Sequence, residues 1–310
     1  MSRTLSTIVC ALAALAATNC SIGLPGGGGP SSIIIYAATA GGVQESATGG
    51  SRWTAVGSLT NVNTVVSVSS GTFISVFAGT SSGLYLCTDG ATWTPFSGLA
   101  SAVDWIQLSG VSIYAATSVG VSVSATTDVA TTWASTAISG GASRIYFDGT
   151  NTFAATSGGL WVSNSTSTTT YTTANGLPTN AISAVSSDGT NVWVGTASNG
   201  MVQAPLATLS TTPTWTQYTN AGTAGGLASD TIHGIYAYGT TIYAATSAGL
   251  SVFAGVAWTT ILSGTSVNSV YVSGTDIYAA TATGLWISAN GGVSWTQNLA
   301  GVNVLGVSVE

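Results

Sequence analysis

The chain has 310 residues, 45% of them apolar and only 4% charged, with three Arg, no Lys, nine Asp plus Glu and one His, for a net charge of −6. A typical domain is about 25% charged, so Ser, Thr, Asn, Gly and backbone must cover this surface. The few cations exclude a nucleic-acid partner, whose phosphates need basic groups, and disfavour acidic polymers and anionic headgroups; the apolar content suffices for a full core.

Residues 1–19 are the first recognisable element. Met1, Ser2 and Arg3 make a short positive start, and residues 8–17 an apolar run too short to span a bilayer. Thr18 and Asn19 precede Cys20, and residues 20–30, with Gly26, Gly27, Gly28 and Gly29, read as a flexible tether. The arrangement resembles a bacterial lipoprotein signal, which implies cleavage before Cys20 and lipidation of that residue. An ordinary secretory signal cut nearby is the alternative. Either removes Cys10 and Arg3, leaving two Arg against nine acids, or −7. With Cys20 acylated, Cys87 is the one remaining thiol. It follows Gly83, Leu84, Tyr85 and Leu86 and reads as a strand-end core residue, not an activated nucleophile.

From residue 31 to 310 one unit recurs seven times. A strand ends in small residues and a Thr: Thr39, Thr80, Thr117, Thr156, Thr196, Thr246 and Thr281, spaced by 41, 37, 39, 40, 50 and 35 residues. A Gly follows three residues later in six units (four in the unit of Gly200), then an apolar residue. An aromatic closes each unit: Trp53, Trp93, Trp133, Tyr171, Trp215, Trp258 and Trp295. A buried aromatic covers roughly 150–250 Å², so these seven are expected between neighbouring sheets. Small residues before the Thr let sheets approach closely near a common axis. Each unit reads as four short strands joined by tight turns.

The two ends are out of phase with the repeat. Residues 31–39 match a second strand and residues 302–309 a first strand, so the C-terminus completes the first sheet. The predicted fold is all-β, a seven-bladed propeller of four-stranded antiparallel blades without free sheet edges at the closure. A parallel β-helix has shorter coils and needs no such circular phase shift.

Two families resemble parts of the chain. Ser288, Asn290, Gly292, Ser294 and Trp295 resemble the Asp-box turn of sialidase- and sortilin-like propellers, and Asp89, Gly90, Thr92 and Trp93 match it in part. In that family the box ties a hairpin and carries no chemistry. Asn175, Gly176, Leu177, Pro178, Thr179 and Asn180, then Asp188, Gly189 and Trp193 to Thr196, are similar to the periplasmic propellers of two-component regulators. That resemblance implies a ligand-binding or accessory propeller.

Enzymatic chemistry finds little material. The arginine triad that a sialidase resemblance would imply is impossible with Arg52 and Arg144 alone, and a glycosidase needs paired carboxylates. Asp148, Asp188 and Asp276 read as turn residues, Asp128 and Asp230 as loop residues. Five positions share one offset, thirteen before the Thr: Asp104, Ser143, Ser183, His233 and Asn268. These first strands line the central channel, so the column is a candidate polar ring or ligand site. Trp105 and Arg144 share the next offset. They suit a cation–π pair or a sugar-stacking surface; core packing with a surface-facing guanidinium explains them equally well. The unit between Thr196 and Thr246 is about ten residues longer than usual, with the excess around 204–213 and 218–229. An insertion or a recognition loop explains it.

The expectation is a non-enzymatic propeller lipoprotein of the cell envelope, or alternatively a secreted one. It would need no cofactor or metal, meet the membrane through its lipid anchor only, and bind a protein or neutral glycan or scaffold an envelope assembly. A divergent glycan-processing enzyme and a purely structural surface protein are the competing readings.

Overall fold

The computed structural model describes residues 33–70, 73–125, 129, 132–210, 213–221 and 226–310. The leader, Cys20, the Gly-rich tether and Asp128 lie outside the described residues. Seven four-stranded antiparallel sheets are present. Written from the inner strand outward, blade 2 is Val62–Ser69, Ile74–Thr80, Gly83–Cys87 and Thr94–Pro95; blade 3 is Val103–Ser109, Ser112–Thr117, Gly120–Ser124 and Ala134–Ala137. Blade 4 is Arg144–Phe147, Thr152–Thr156, Gly159–Ser163 and Thr168–Tyr171; blade 5 is Ile182–Ser187, Asn191–Thr196, Met201–Pro205 and Thr216–Tyr218. Blade 6 is Ile232–Tyr238, Thr241–Thr246, Gly249–Phe253 and Trp258–Ser263; blade 7 is Val267–Ser273, Asp276–Thr281, Gly284–Ser288 and Thr296–Asn298. Blade 1 is composite: Val304–Val309 is its inner strand, followed by Ile35–Thr39, Gly42–Ser46 and Thr54–Ala55.

The closure anticipated from the phase of the two ends is therefore present. Ile35 pairs with Val309, Tyr36 with Ser308 and Ala37 with Val307, and Ile34 and Glu310 exchange both backbone hydrogen bonds. Each inner strand lies against the inner strands of both neighbouring blades, which makes a ring. In such a meander the inner-to-second and third-to-outer turns fall on one face, here called the lower face. The second-to-third turns and the links between blades fall on the upper face. The chain enters its second strand at Ile35, on the lower face.

The recurring Thr and Gly are a turn device. In all seven units the buried Thr hydroxyl donates to the carbonyl of the Gly at 2.7–3.0 Å, from Thr39 to Gly42 through Thr281 to Gly284. The Gly has positive φ, 149° at Gly284, and a Cβ there would collide with the carbonyl of Asn298 on the outer strand. A side chain would thus face both a left-handed backbone and a steric block.

Seven buried apolar clusters form, one at each junction between blades. Six closing Trp residues pack into the junction with the preceding blade. Trp93, Trp133, Trp215 and Trp295 also donate their indole N–H to a carbonyl of that blade: Val56, Ser97, Asn175 and Ile261. Tyr171 instead faces forward, with its hydroxyl donating to Leu209 of blade 5. The junction between blades 3 and 4 consequently has no closing aromatic; Trp105, Tyr114 and Trp161 fill it. Near the axis, Gly79 leaves no room for a Cβ against Thr64 and Val103, and Gly195 none against Ile232 and Ala184. Close approach of the blades requires those small residues. The extra length of blade 5 forms a short 3-10 turn, Leu206–Thr208, and the link after Tyr218, where the backbone N–H of Asn220 donates to Asp230.

Candidate functional site

The polar column lies at the upper mouth of the channel, where the inner strands begin, and the backbone explains its spacing. In six blades the pairing of inner and second strand skips one residue: Leu305, Asn63, Asp104, Ser183, His233 and Asn268. Each is a β-bulge, which twists the strand and re-aims a side chain. Ser143 holds the equivalent place in blade 4, its N–H on the carbonyl of Ala155.

Five of these side chains clasp the next blade. Asn63 donates to the carbonyl of Val103 at 3.1 Å and to the Asp104 carboxylate at 3.1 Å. Ser143 donates to the Ser183 carbonyl at 3.4 Å and Ser183 to the Ile232 carbonyl at 2.5 Å. His233 Nδ1 lies 2.9 Å from the Val267 carbonyl, an acceptor that requires the proton on Nδ1. Asn268 donates to the Val304 carbonyl at 2.7 Å and to Asn303 at 2.9 Å. Asp104, acceptor-only when ionised, and Leu305 cannot clasp in this way. Their junctions are tied nearer the lower face. Gln107 exchanges two hydrogen bonds with the backbone of Phe147, at 2.9 and 2.7 Å, and Ser308 accepts from the backbone of Ser67 at 2.9 Å. Every junction thus has a side-chain clasp. The side chains of the column thus help to hold the ring together.

Asn63 and Leu305 escape a fixed-offset search. The hairpin of blade 2 is four residues longer, which puts Asn63 seventeen before Thr80, and Leu305 reaches blade 1 from the other end of the chain. The elongated Ser69–Ile74 hairpin is the available signal for Asn63.

Arg144 does not face the surface. Its guanidinium lies 4.2 Å from the centre of the Trp105 ring of blade 3. Its Nη2 donates to the carbonyls of His233 (3.2 Å, blade 6) and Asn268 (3.3 Å, blade 7). A side chain rooted in blade 4 therefore crosses the channel just below the clasps. Burial lowers its pKa to about 10, against the opposing pull of Asp104, and its Nε is buried without a hydrogen-bond partner. Burial also raises the Asp104 carboxyl, and the Arg144 charge partly restores it. Arg144 thereby links blades 3, 4, 6 and 7 across the channel.

Three further acids, Asp89, Asp148 and Asp188, are committed to turns, whereas Glu45 lies on the third strand of blade 1 beside Tyr36. Asp148 accepts from the backbone N–H of Thr150 and Asn151, and Asp188 from Thr190, Asn191 and the Trp193 indole. Asp89 accepts from Thr92 and Ala91, contacts that hold its carboxyl down at about 2. Burial pushes the Cys87 thiol up to about 11, the opposite of an activated nucleophile. In the loop after Ser288, Asn290 accepts from Ser294 N–H and Ser288 accepts from Gly292 N–H, both at 2.9 Å. The loop after Ser46 has the same form with Thr48 in the Asn place: Gly50 N–H donates to Ser46 and Arg52 N–H to Thr48. Among the described residues no three His, Cys, Asp or Glu side chains come together as a metal-binding set. A groove of about 170 Å³ on the upper rim of blade 2 is lined by Tyr85, Pro95, Phe96 and Leu99 among others, below the roughly 300–1,000 Å³ of ordinary ligand pockets.

No family model matches the chain, and no curated protein matches it. Many solved structures share its fold. The extracellular domain of a B. thetaiotaomicron protein, named in one structure as a one component system and in another as a hybrid two component system, matches with TM-scores of 0.64 and 0.62 at 17% and 16% identity. Each match covers 79% of this chain and 35% of that one. An ancestral GH74 enzyme matches with a TM-score of 0.67 at 16% identity, over 85% of this chain and 44% of the enzyme. The computationally designed Ika8 protein matches with a TM-score of 0.62 at 12% identity, over 90% and 88%. The chain thus spans about a third of the first protein and less than half of the enzyme. These likenesses establish the propeller fold.

Proposed function

We propose that the chain is an exported, non-enzymatic propeller, lipid-anchored through Cys20, that works by surface recognition: a binding or assembly scaffold of the cell envelope for a protein or a neutral glycan. The observation that carries this reading is the use made of the channel. Its polar side chains clasp neighbouring blades, and Arg144, stacked on Trp105, reaches across it to blades 6 and 7. Asp89, Asp148 and Asp188 sit in turn hydrogen bonds on separate blades. The leader with Cys20 supports export, and the likeness to an extracellular domain agrees with it. The charge-poor exterior suits partners that are themselves weakly charged.

The test is affinity capture of the full chain from native membranes, with mass spectrometry of Cys20 and of co-captured proteins and glycans. The expected result is an acylated Cys20 and one reproducible partner. Release of reducing ends from neutral polysaccharides by the purified chain would overturn the non-enzymatic reading; an unmodified Cys20 would overturn the anchor.

A further inference from the structure

Nine large apolar side chains are exposed among the described residues, and their distribution between the faces is lopsided. Val119 and Val302 lie on the upper face; the other seven lie on the lower face. Val256 and Val293, 86% and 84% exposed, stand at the tips of the third-to-outer hairpins of blades 6 and 7, each after a positive-φ Gly. Val68, Phe73, Val111 and Tyr238 stand at inner-to-second hairpins of blades 2, 3 and 6. Ile33 stands where the chain enters blade 1. Tips so exposed add almost nothing to the core, and polar residues are the norm at turns. Folding therefore does not account for the apolar character of Val111, Val256 and Val293, whereas Tyr238 also accepts from the backbone N–H of Gly274 in blade 7.

The arrangement is an arc. Blades 6, 7, 1, 2 and 3 carry the apolar tips, and blade 1, at the middle of the arc, is where the N-terminal segment leaves. Blades 4 and 5, on the far side, present the Asp148 and Asp188 turns instead. Twelve residues lie between Cys20 and Ile33, and a Gly-rich chain of that length has a root-mean-square reach of about 20 Å. Lipidation of Cys20 would hold this face near the bilayer, where apolar tips add contacts to those of the anchor.

We propose that the lower face docks on the lipid surface, with the tips of blades 6, 7, 1, 2 and 3 resting in the headgroup layer. The proposal rests on the acylation of Cys20. The headgroups are neutral or zwitterionic, because Asp89, Asp276 and Glu310 on the same face repel an anionic leaflet and Arg52 is its one described cation.

The test uses the acylated full chain in vesicles of phosphatidylcholine and phosphatidylethanolamine. Val256→Cys, Val293→Cys and Val111→Cys report the lower face, and Val119→Cys and Val302→Cys the upper; buried Cys87 serves as the unlabelled background. Each carries a polarity-sensitive thiol dye. The expected result is blue-shifted emission and several-fold quenching by brominated lipid at the lower positions only. Equal behaviour of the two faces overturns the proposal. So does a lower face shielded in native membranes but wet in the pure-lipid vesicles, which would assign it to a protein partner. Mass spectrometry separates the two ideas. An acylated Cys20 with a wet lower face leaves the anchor and removes the docking. If Cys20 is unmodified, the anchor fails, and failure of the same chain to float with the vesicles removes the docking as well.

Discussion

Replacing Arg144 tests whether its contribution across the channel comes from its charge or from its bulk. The fall in pKa from 12.5 to about 10 corresponds to roughly 3 kcal/mol against the charged form. Two hydrogen bonds from a charged donor to carbonyls contribute about 1.5–3 kcal/mol each, and the Trp105 contact about 0.5–2 kcal/mol. These gains must offset both the desolvation and the orphaned Nε. Arg144→Met keeps the stem over Trp105 and removes the buried charge, at the expense of two carbonyls left facing the channel. The opposing effects nearly cancel, so Arg144→Met should lie within about 1.5 kcal/mol of the parent, as buried charges replaced by hydrophobes often do. Arg144→Ala also loses the packing, and truncation of a large buried side chain costs about 2–4 kcal/mol. Urea unfolding followed by Trp fluorescence measures both, given unchanged slopes. If Arg144→Met unfolds as readily as Arg144→Ala, the charge is the keystone of the ring and the desolvation argument fails.

Asn268→Ala removes the clasp that ties blade 7 to the composite blade, with its hydrogen bonds to the Val304 carbonyl and to Asn303; the expected loss is about 1–2 kcal/mol, and denaturant midpoints no lower than the parent's would refute the clasp. Gly284→Ala puts a Cβ against the Asn298 carbonyl at positive φ, whereas Gly274→Ala, φ 60°, meets open space; a drop in thermal midpoint no larger for the first than for the second contradicts the steric reading. The Asp89 carboxyl, held at about 2 by Thr92 and Ala91, favours the folded state above about pH 4 and stops doing so as the pH falls towards 2. Asp89→Asn should flatten that part of the stability–pH profile, and an unchanged profile would argue against it.

The repeated Thr, Gly and aromatic suffice to count the blades, because each serves a local purpose. The Thr hydroxyl and the positive-φ Gly close the same turn seven times within four or five residues. The phase of residues 31–39 against 302–309 likewise foretells the closure, since each strand of a meander has a fixed place in the unit. The polar column is visible as an offset, but its meaning is not. Ser183, His233 and Asn268 stand out in the linear chain without a visible partner because nothing in one unit reveals the carbonyls that the next unit presents to them. Asn63 and Leu305 fall outside the offset because a longer hairpin and a circular chain break the count.

Seven units, four strands apiece and a borrowed last strand were determined by the linear order of residues alone, because turns and strand alternation are short-range. Where Arg144 ends was decided by the ring. Its guanidinium meets Trp105 from one side of the channel and the backbone of blades 6 and 7 from the other, atoms up to 124 residues away that only closure brings to one axis.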